Sequence, residues 1–171
     1  KRNLILSIGS VVLLAASGCR HVPQEKLSTN LFPAAGVPKG WLVRAWADVK
    51  NPPPEGASWK VEGGILHGSE PRGTWLVSER EYGDFILEFE FMLGEQGNSG
   101  CGLRFPMHGD PAFDGLELQM VDPRYYGTSP VPPDELTGSL YKAVAPRAQL
   151  LKPAEWNKYE IACQGPWVKV A

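Results

Sequence analysis

The chain has 171 residues, a formal net charge of −2 and no basic run, so nucleic-acid binding has no electrostatic footprint. Once an N-terminal leader and tether are set aside, what remains is the length of one domain. Six Trp are many for this length, and they serve either as core or as sugar-stacking platforms.

The N-terminus reads as a targeting segment. Lys1 and Arg2 give a positive start, Leu4 to Ala16 is mostly apolar, and Ala15-Ala-Ser-Gly-Cys19 is a lipobox in which small residues precede the Cys that becomes lipidated. The apolar run falls short of the ~20 residues a membrane span needs. The expectation is a signal peptide over 1–19, lipidation at Cys19, and an exported periplasmic or outer-membrane lipoprotein of a bacterium. It would meet the membrane only through its lipid. Residues 20–30 are polar and aperiodic, a tether. Residues 31–171 form the domain.

Helical periodicity is nearly absent from that domain, and strand signals recur between Gly and Pro punctuation, which predicts an all-β sandwich. Pro52-Pro-Pro54 is a surface turn. Trp59 to His67 reads as a strand, a Gly-Gly turn and a short strand, and Thr74 to Ser78 as another strand. Phe85 to Leu93 alternates most cleanly: Phe85, Leu87, Phe89 and Phe91 face one way, Glu88 and Glu90 the other. Asn98 to Phe105 and Gly115 to Asp122 follow, separated by a Pro-, Gly- and Asp-rich loop. Pro123 to Glu135 is a long loop of the kind that builds a site over a scaffold. Leu140-Tyr-Lys142 reads as a short strand and Trp156 to Gln164 as a full one. The chain then stops in Trp167-Val-Lys-Val-Ala171, inside another strand pattern, and has no initiating Met, so both ends read as incomplete. Cys101 and Cys163 share faces with apolar residues and read as small core residues more than as a disulfide pair.

The chemistry concentrates in the two central strands. Strand alternation puts Arg104 opposite Cys101, Leu103 and Phe105, and puts Glu117 and Gln119 opposite Leu116, Leu118 and Met120. On a half-buried sheet, Arg104, Glu117 and Gln119 then make a polar row on the open face. Arg donates, Glu accepts and Gln does both, as binding sugar hydroxyls requires. Glu117 is also a plausible general base, although a neighbouring Arg would lower its pKa. A cross-strand ion pair that merely holds the sheet is an equal alternative. Asp122 is either an acid or base at the rim of a cleft or, as Asp-Pro, a turn former. Asn98, Glu88 and Glu90 are further substrate-binding candidates, with a solvated face the bland reading of the two Glu. His108, Asp110 and Asp114 share one loop and are weak candidates for a divalent metal, without a recognised ligand pattern. No nucleophile elbow, phosphate loop, dinucleotide fingerprint or zinc pattern is present.

Taken in order, Asn98-Ser-Gly-Cys-Gly-Leu-Arg104, Gly115-Leu-Glu-Leu-Gln-Met-Val-Asp122, Thr137-Gly-Ser-Leu-Tyr141 and Lys152-Pro-Ala-Glu-Trp-Asn157 resemble the 3-keto-disaccharide hydrolase domain, also described as a 3-keto-glucoside lyase and hydratase domain. Gly40-Trp41, Trp59-Lys-Val-Glu-Gly-Gly-Ile-Leu66 and Tyr82-Gly-Asp-Phe-Ile-Leu-Glu-Phe-Glu90 agree with it, and the resemblance covers roughly 31–171. It implies a concanavalin- or LamG-like jelly-roll sandwich, truncated here at its C-terminus. It also implies cleavage of glycosides whose sugar carries a ketone at carbon 3. The ketone acidifies the carbon-2 hydrogen, a base removes it, the aglycone leaves carbon 1, and water adds to the enone. On this reading Glu117 or Asp122 is the base, Arg104 and Gln119 hold the enolate or ring hydroxyls, and Tyr141 protonates or positions the leaving group. An oxidoreductase that makes 3-keto sugars is the partner the resemblance implies. A non-catalytic carbohydrate-binding module is the alternative on the same fold, and an envelope interaction protein a third, since fold does not fix activity.

Overall fold

The computed structural model describes residues 4–13, 28–68 and 73–171. The described strands are β1 (Leu4–Leu13), β2 (Ser28–Asn30), β3 (Trp41–Ala45), β4 (Lys60–Glu62), β5 (Ile65–His67), β6 (Thr74–Ser78), β7 (Phe85–Leu93), β8 (Asn98–Leu103), β9 (Leu116–Val121), β10 (Asn157–Gln164) and β11 (Trp167–Val170). One short helix, α1 (Pro111–Asp114), and two 3-10 turns, Pro123–Tyr126 and Pro133–Glu135, interrupt them. No described helix is long and apolar enough to cross a membrane. The apolar segment read as the core of a leader falls on β1, and Cys19 lies outside the described residues.

Three antiparallel sheets build two layers. One is a seven-stranded sheet in the order β11-β10-β7-β1-β5-β4, with β2 also on β1. The others are the pairs β3–β6 and β8–β9. The sequence reading missed β3, and Leu140 forms isolated bridges to Leu118 and Val144 where a short strand was expected.

Alternation in β7 places Phe85, Phe89, Phe91 and Leu93 in the core with Tyr159, Ile161 and Cys163 of β10, packed against Leu103, Leu118 and Met120 of β8 and β9. A second core joins Trp59, Val61 and Leu66 to Val43 and Leu76, seating β3–β6 on the β4–β5 end. Burying side chains of this size contributes roughly 1.5–3 kcal/mol each, which is what holds two separate ladders on one sheet.

Candidate functional site

Because β3–β6 and β8–β9 are separate ladders on one sheet, a cleft of about 690 Å3 opens between them. One wall is β3–β6 with Trp41, Trp75 and the adjoining Trp46. The other is β8–β9 with Asn98, Glu117 and Gln119, and Leu66, Phe85, Leu87 and Phe89 of the large sheet contribute apolar lining. Asp110, Phe113, Tyr125 and Tyr141 reach it from the loops.

A side-chain bridge ties the two walls together. The Asp48 carboxylate, just after β3, accepts from the Gly109 amide at 2.7 Å, and the Val49 amide donates to the Gly109 carbonyl at 2.9 Å. Hydrogen bonds from the Lys50 amide, and then from the Gly109 amide, hold the Asp48 carboxyl below its ordinary pKa. The loop carrying Asp110 and Phe113 is thereby fixed to the loop carrying Trp46.

Glu117 is the chemical centre. In the ladder it stands opposite Gly102, while Gly100 stands opposite Gln119. A Cβ at Gly100 would collide with the Glu117 carboxylate, so only glycine leaves room for that side chain to lie over β8. No described residue donates a hydrogen bond to the carboxylate. Burial first, and then the negative charge of Asp110, push its pKa up from 4.5 to about 7. An acid poised there exchanges a proton at neutral pH.

Its neighbours are held firmly. Gln119 is buried, its side-chain oxygen accepts from the Met120 amide at 2.9 Å, and its amide end remains for a ligand. The Tyr141 amide donates to the Glu117 carbonyl at 2.8 Å, and both side chains line the cleft. Burial and then the Glu135 charge raise the Tyr141 pKa, so the phenol stays protonated. Behind it, Glu135 accepts from Tyr126 at 2.8 Å and from Lys142 at 2.6 Å, and the Lys142 ammonium sits 5.4 Å from the centre of the Tyr141 ring. Lys142 has φ 55°, a left-handed conformation that costs a non-glycine residue about 1–3 kcal/mol. Its ion pair with Glu135 helps hold it there.

The polar row expected from alternation is only partly assembled. Glu117 and Gln119 share the cleft wall, and Asn98 joins them. Arg104 does not. The strand ends at Leu103, Arg104 takes φ 53°, and its guanidinium lies beside the Cys163 thiol. Asp122 is also elsewhere: it is buried and caps the Pro123–Tyr126 turn by accepting from the Arg124 amide at 2.9 Å. The Arg124 guanidinium pairs with it at 2.5 Å and, with that amide, holds its carboxyl below the ordinary value. Glu88 and Glu90 point away from the cleft, on the face of β7 opposite Phe85, Leu87 and Phe89. Glu88 pairs there with Lys158 at 3.1 Å. β7 pairs with β1 and β10, not with the Arg104 strand.

Two of the metal candidates, Asp110 and Asp114, are engaged in the α1 turn. Asp110 caps α1 through the Ala112 amide at 3.0 Å, the Asp114 carboxylate accepts from the Asp110 amide at 2.9 Å, and His108 is exposed. Among the described residues no group of three His, Cys, Asp or Glu stands close enough to hold a metal ion. Asp110 matters instead through its charge on Glu117, an influence that arises from loop folding and that strand periodicity cannot reveal. Cys101 and Cys163 are free thiols, and burial pushes Cys101 up to about 12.

These features define a class: an all-β sandwich with an aromatic-walled cleft around one unpaired, near-neutral carboxylate. Residues 28–171 match the 3-keto-alpha-glucoside-1,2-lyase-like domain, and the chain belongs to that family, with its concanavalin-like fold. No curated protein and no solved structure matches the chain.

Proposed function

We infer that the cleft cleaves 3-keto-glycosides, with Glu117 as the base. The observation that carries this reading is the Glu117 carboxylate lining the cleft, raised to about 7 and without a hydrogen-bond donor of its own among the described residues. With its pKa near neutrality, it removes the acidified carbon-2 proton at physiological pH. Breaking the bond from carbon 1 to the aglycone oxygen yields the enone and an alkoxide, and Tyr141 supplies the proton that makes the alkoxide an alcohol. Addition of water across the new double bond completes net hydrolysis to the free 3-keto sugar and alcohol. Gln119 and Asn98 bind the sugar's oxygens. Asp122 and Arg104 drop out of the chemistry, because one is consumed by Arg124 and the other lies beside Cys163.

The test is incubation with 3-keto-trehalose or 3-keto-lactose while sugar release is followed. The reading expects release by the wild-type chain and a fall of roughly 10²–10⁴-fold in Glu117→Gln, the range of general-base contributions. Binding of intact sugar without release would mark a carbohydrate-binding module instead.

We also propose export and lipidation at Cys19. Processing there would remove β1 and free the pairing edges of β7 and β5. Metabolic palmitate labelling that disappears in Cys19→Ala checks this.

A further inference from the structure

The two walls of the cleft differ in chemistry. On the β8–β9 side, the Glu117 carboxylate and the Gln119 amide end are open to a ligand. On the β3–β6 side, several of the polar atoms are already engaged within the protein. The Trp59 indole donates to the Thr74 hydroxyl at 3.0 Å, the Trp75 indole to the Trp46 carbonyl at 3.3 Å, and the Ser78 hydroxyl to the Arg80 carbonyl at 2.8 Å. What this wall offers is ring surface.

Trp46 extends it to the mouth, where the ring is 55% exposed. It lies so close over Gly73 that a Cβ there would stand 2.7 Å from the indole Cδ1. Between the walls, Phe85, Leu87 and Phe89 add apolar lining and no donors.

A sugar ring needs hydrogen-bond partners around its rim, because desolvating a hydroxyl without one costs free energy. A second sugar against β3–β6 would find its hydroxyls facing indole rings, with the Trp75 N–H already occupied. A flat apolar group would lose nothing and would gain ring-to-ring contact. The cleft volume lies within the 300–1,000 Å3 range of drug-sized ligand pockets and leaves room for a second ring beside the ketosugar.

We propose that the β3–β6 wall is an aglycone subsite for apolar, aromatic groups. The preferred substrate is then a 3-keto-glucoside of an arylalkyl alcohol, not a 3-keto-disaccharide. The subsite rests on the proposed cleavage only for the identity of the group bound at Glu117.

The experiment compares the 3-keto derivatives of 2-phenylethyl glucoside, in both anomers, and of maltose and cellobiose, each with the ketone on its non-reducing glucosyl ring. All the aglycones leave as ordinary alcohols, so a preference for the first does not reflect an easier leaving group. The expected preference in kcat/KM is on the order of tenfold. Trp46→Ala, at an exposed position whose backbone carbonyl is retained, shifts the arylalkyl-to-disaccharide ratio back by a similar factor. Equal kcat/KM for the arylalkyl glucoside and the disaccharides, or a ratio that Trp46→Ala leaves in place, overturns the subsite. If none of the ketones is cleaved, the cleavage reading falls, and the subsite is still decided by titrating 2-phenylethanol against intrinsic Trp fluorescence. Saturable quenching that Trp46→Ala weakens supports it, and its absence overturns it.

Discussion

Gly100 and Glu117 occupy one space: the carboxylate of Glu117 lies where a side chain at position 100 would have to go. A backbone feature of β8 therefore sets the position of the base on β9. Gly100→Ala is expected to displace the carboxylate and lower kcat roughly 10²-fold, since small misplacements of a reacting group carry costs of that order. Steady-state kinetics with thermal unfolding in parallel check this; a folded variant with full activity would separate Glu117 from the chemistry.

The activity has a defined acid limb. Glu117 must be ionised to take a proton, and burial with the Asp110 charge raises its pKa to about 7. The pH profile of kcat/KM is expected to rise through neutrality, and Asp110→Asn to move that limb to lower pH by relieving the repulsion.

The same carboxylate has a stability signature of opposite sense. A folded pKa above the unfolded one means that the folded state holds the proton more tightly. Stability therefore declines as pH rises from about 4.5 to about 7, and levels off above. Glu117→Gln removes this dependence. It is expected to gain on the wild type by up to about 3 kcal/mol above neutrality and little near pH 4. Urea unfolding at the two pH extremes measures it. Such a gain at a position whose loss abolishes activity is the trade expected of a functional site.

Asp122 is expected to behave in the contrary way. Its pKa is lowered, so its stabilising contribution is present above the ordinary carboxylate value and fades as pH falls through the folded one. Asp122→Ala leaves Arg124 with Glu95 alone as its partner and the turn uncapped, with an expected loss of roughly 1–3 kcal/mol near neutrality and little change in kcat per folded molecule. Chemical denaturation alongside active-site-normalised kinetics tests both halves.

Tyr141→Phe is expected to slow turnover by ~10–100-fold, more for alcohols that leave poorly, since the phenol's role is to donate a proton. A rate loss independent of the leaving alcohol would assign Tyr141 to positioning only.

Much of this site was legible in the sequence. Alternation along Leu116–Val121 correctly put Glu117 and Gln119 on one face, and the Phe85–Leu93 ladder put its Phe residues in the core. Alternation misled at Arg104, because it assumes an extended backbone and the chain turns left-handed there. At Asp122, the Asp-Pro turn signal was the better guide. Glu88 and Glu90 obey alternation, but a strand pattern does not say on which side of the sheet the cleft will open. Asp110 approaches Glu117, and Trp46 approaches Gly73, through loops whose closure depends on contacts such as Asp48 with Gly109, distant in sequence. Proximity of that kind has no periodic signature.

The central claim, that Glu117 removes the carbon-2 proton of a 3-keto-glycoside, is tested most directly by mass and NMR analysis of a cleavage reaction run in D2O. The account predicts aglycone release and deuterium at carbon 2 of the recovered ketosugar with the wild-type chain, and neither with Glu117→Gln. Release and carbon-2 labelling undiminished in Glu117→Gln would contradict it.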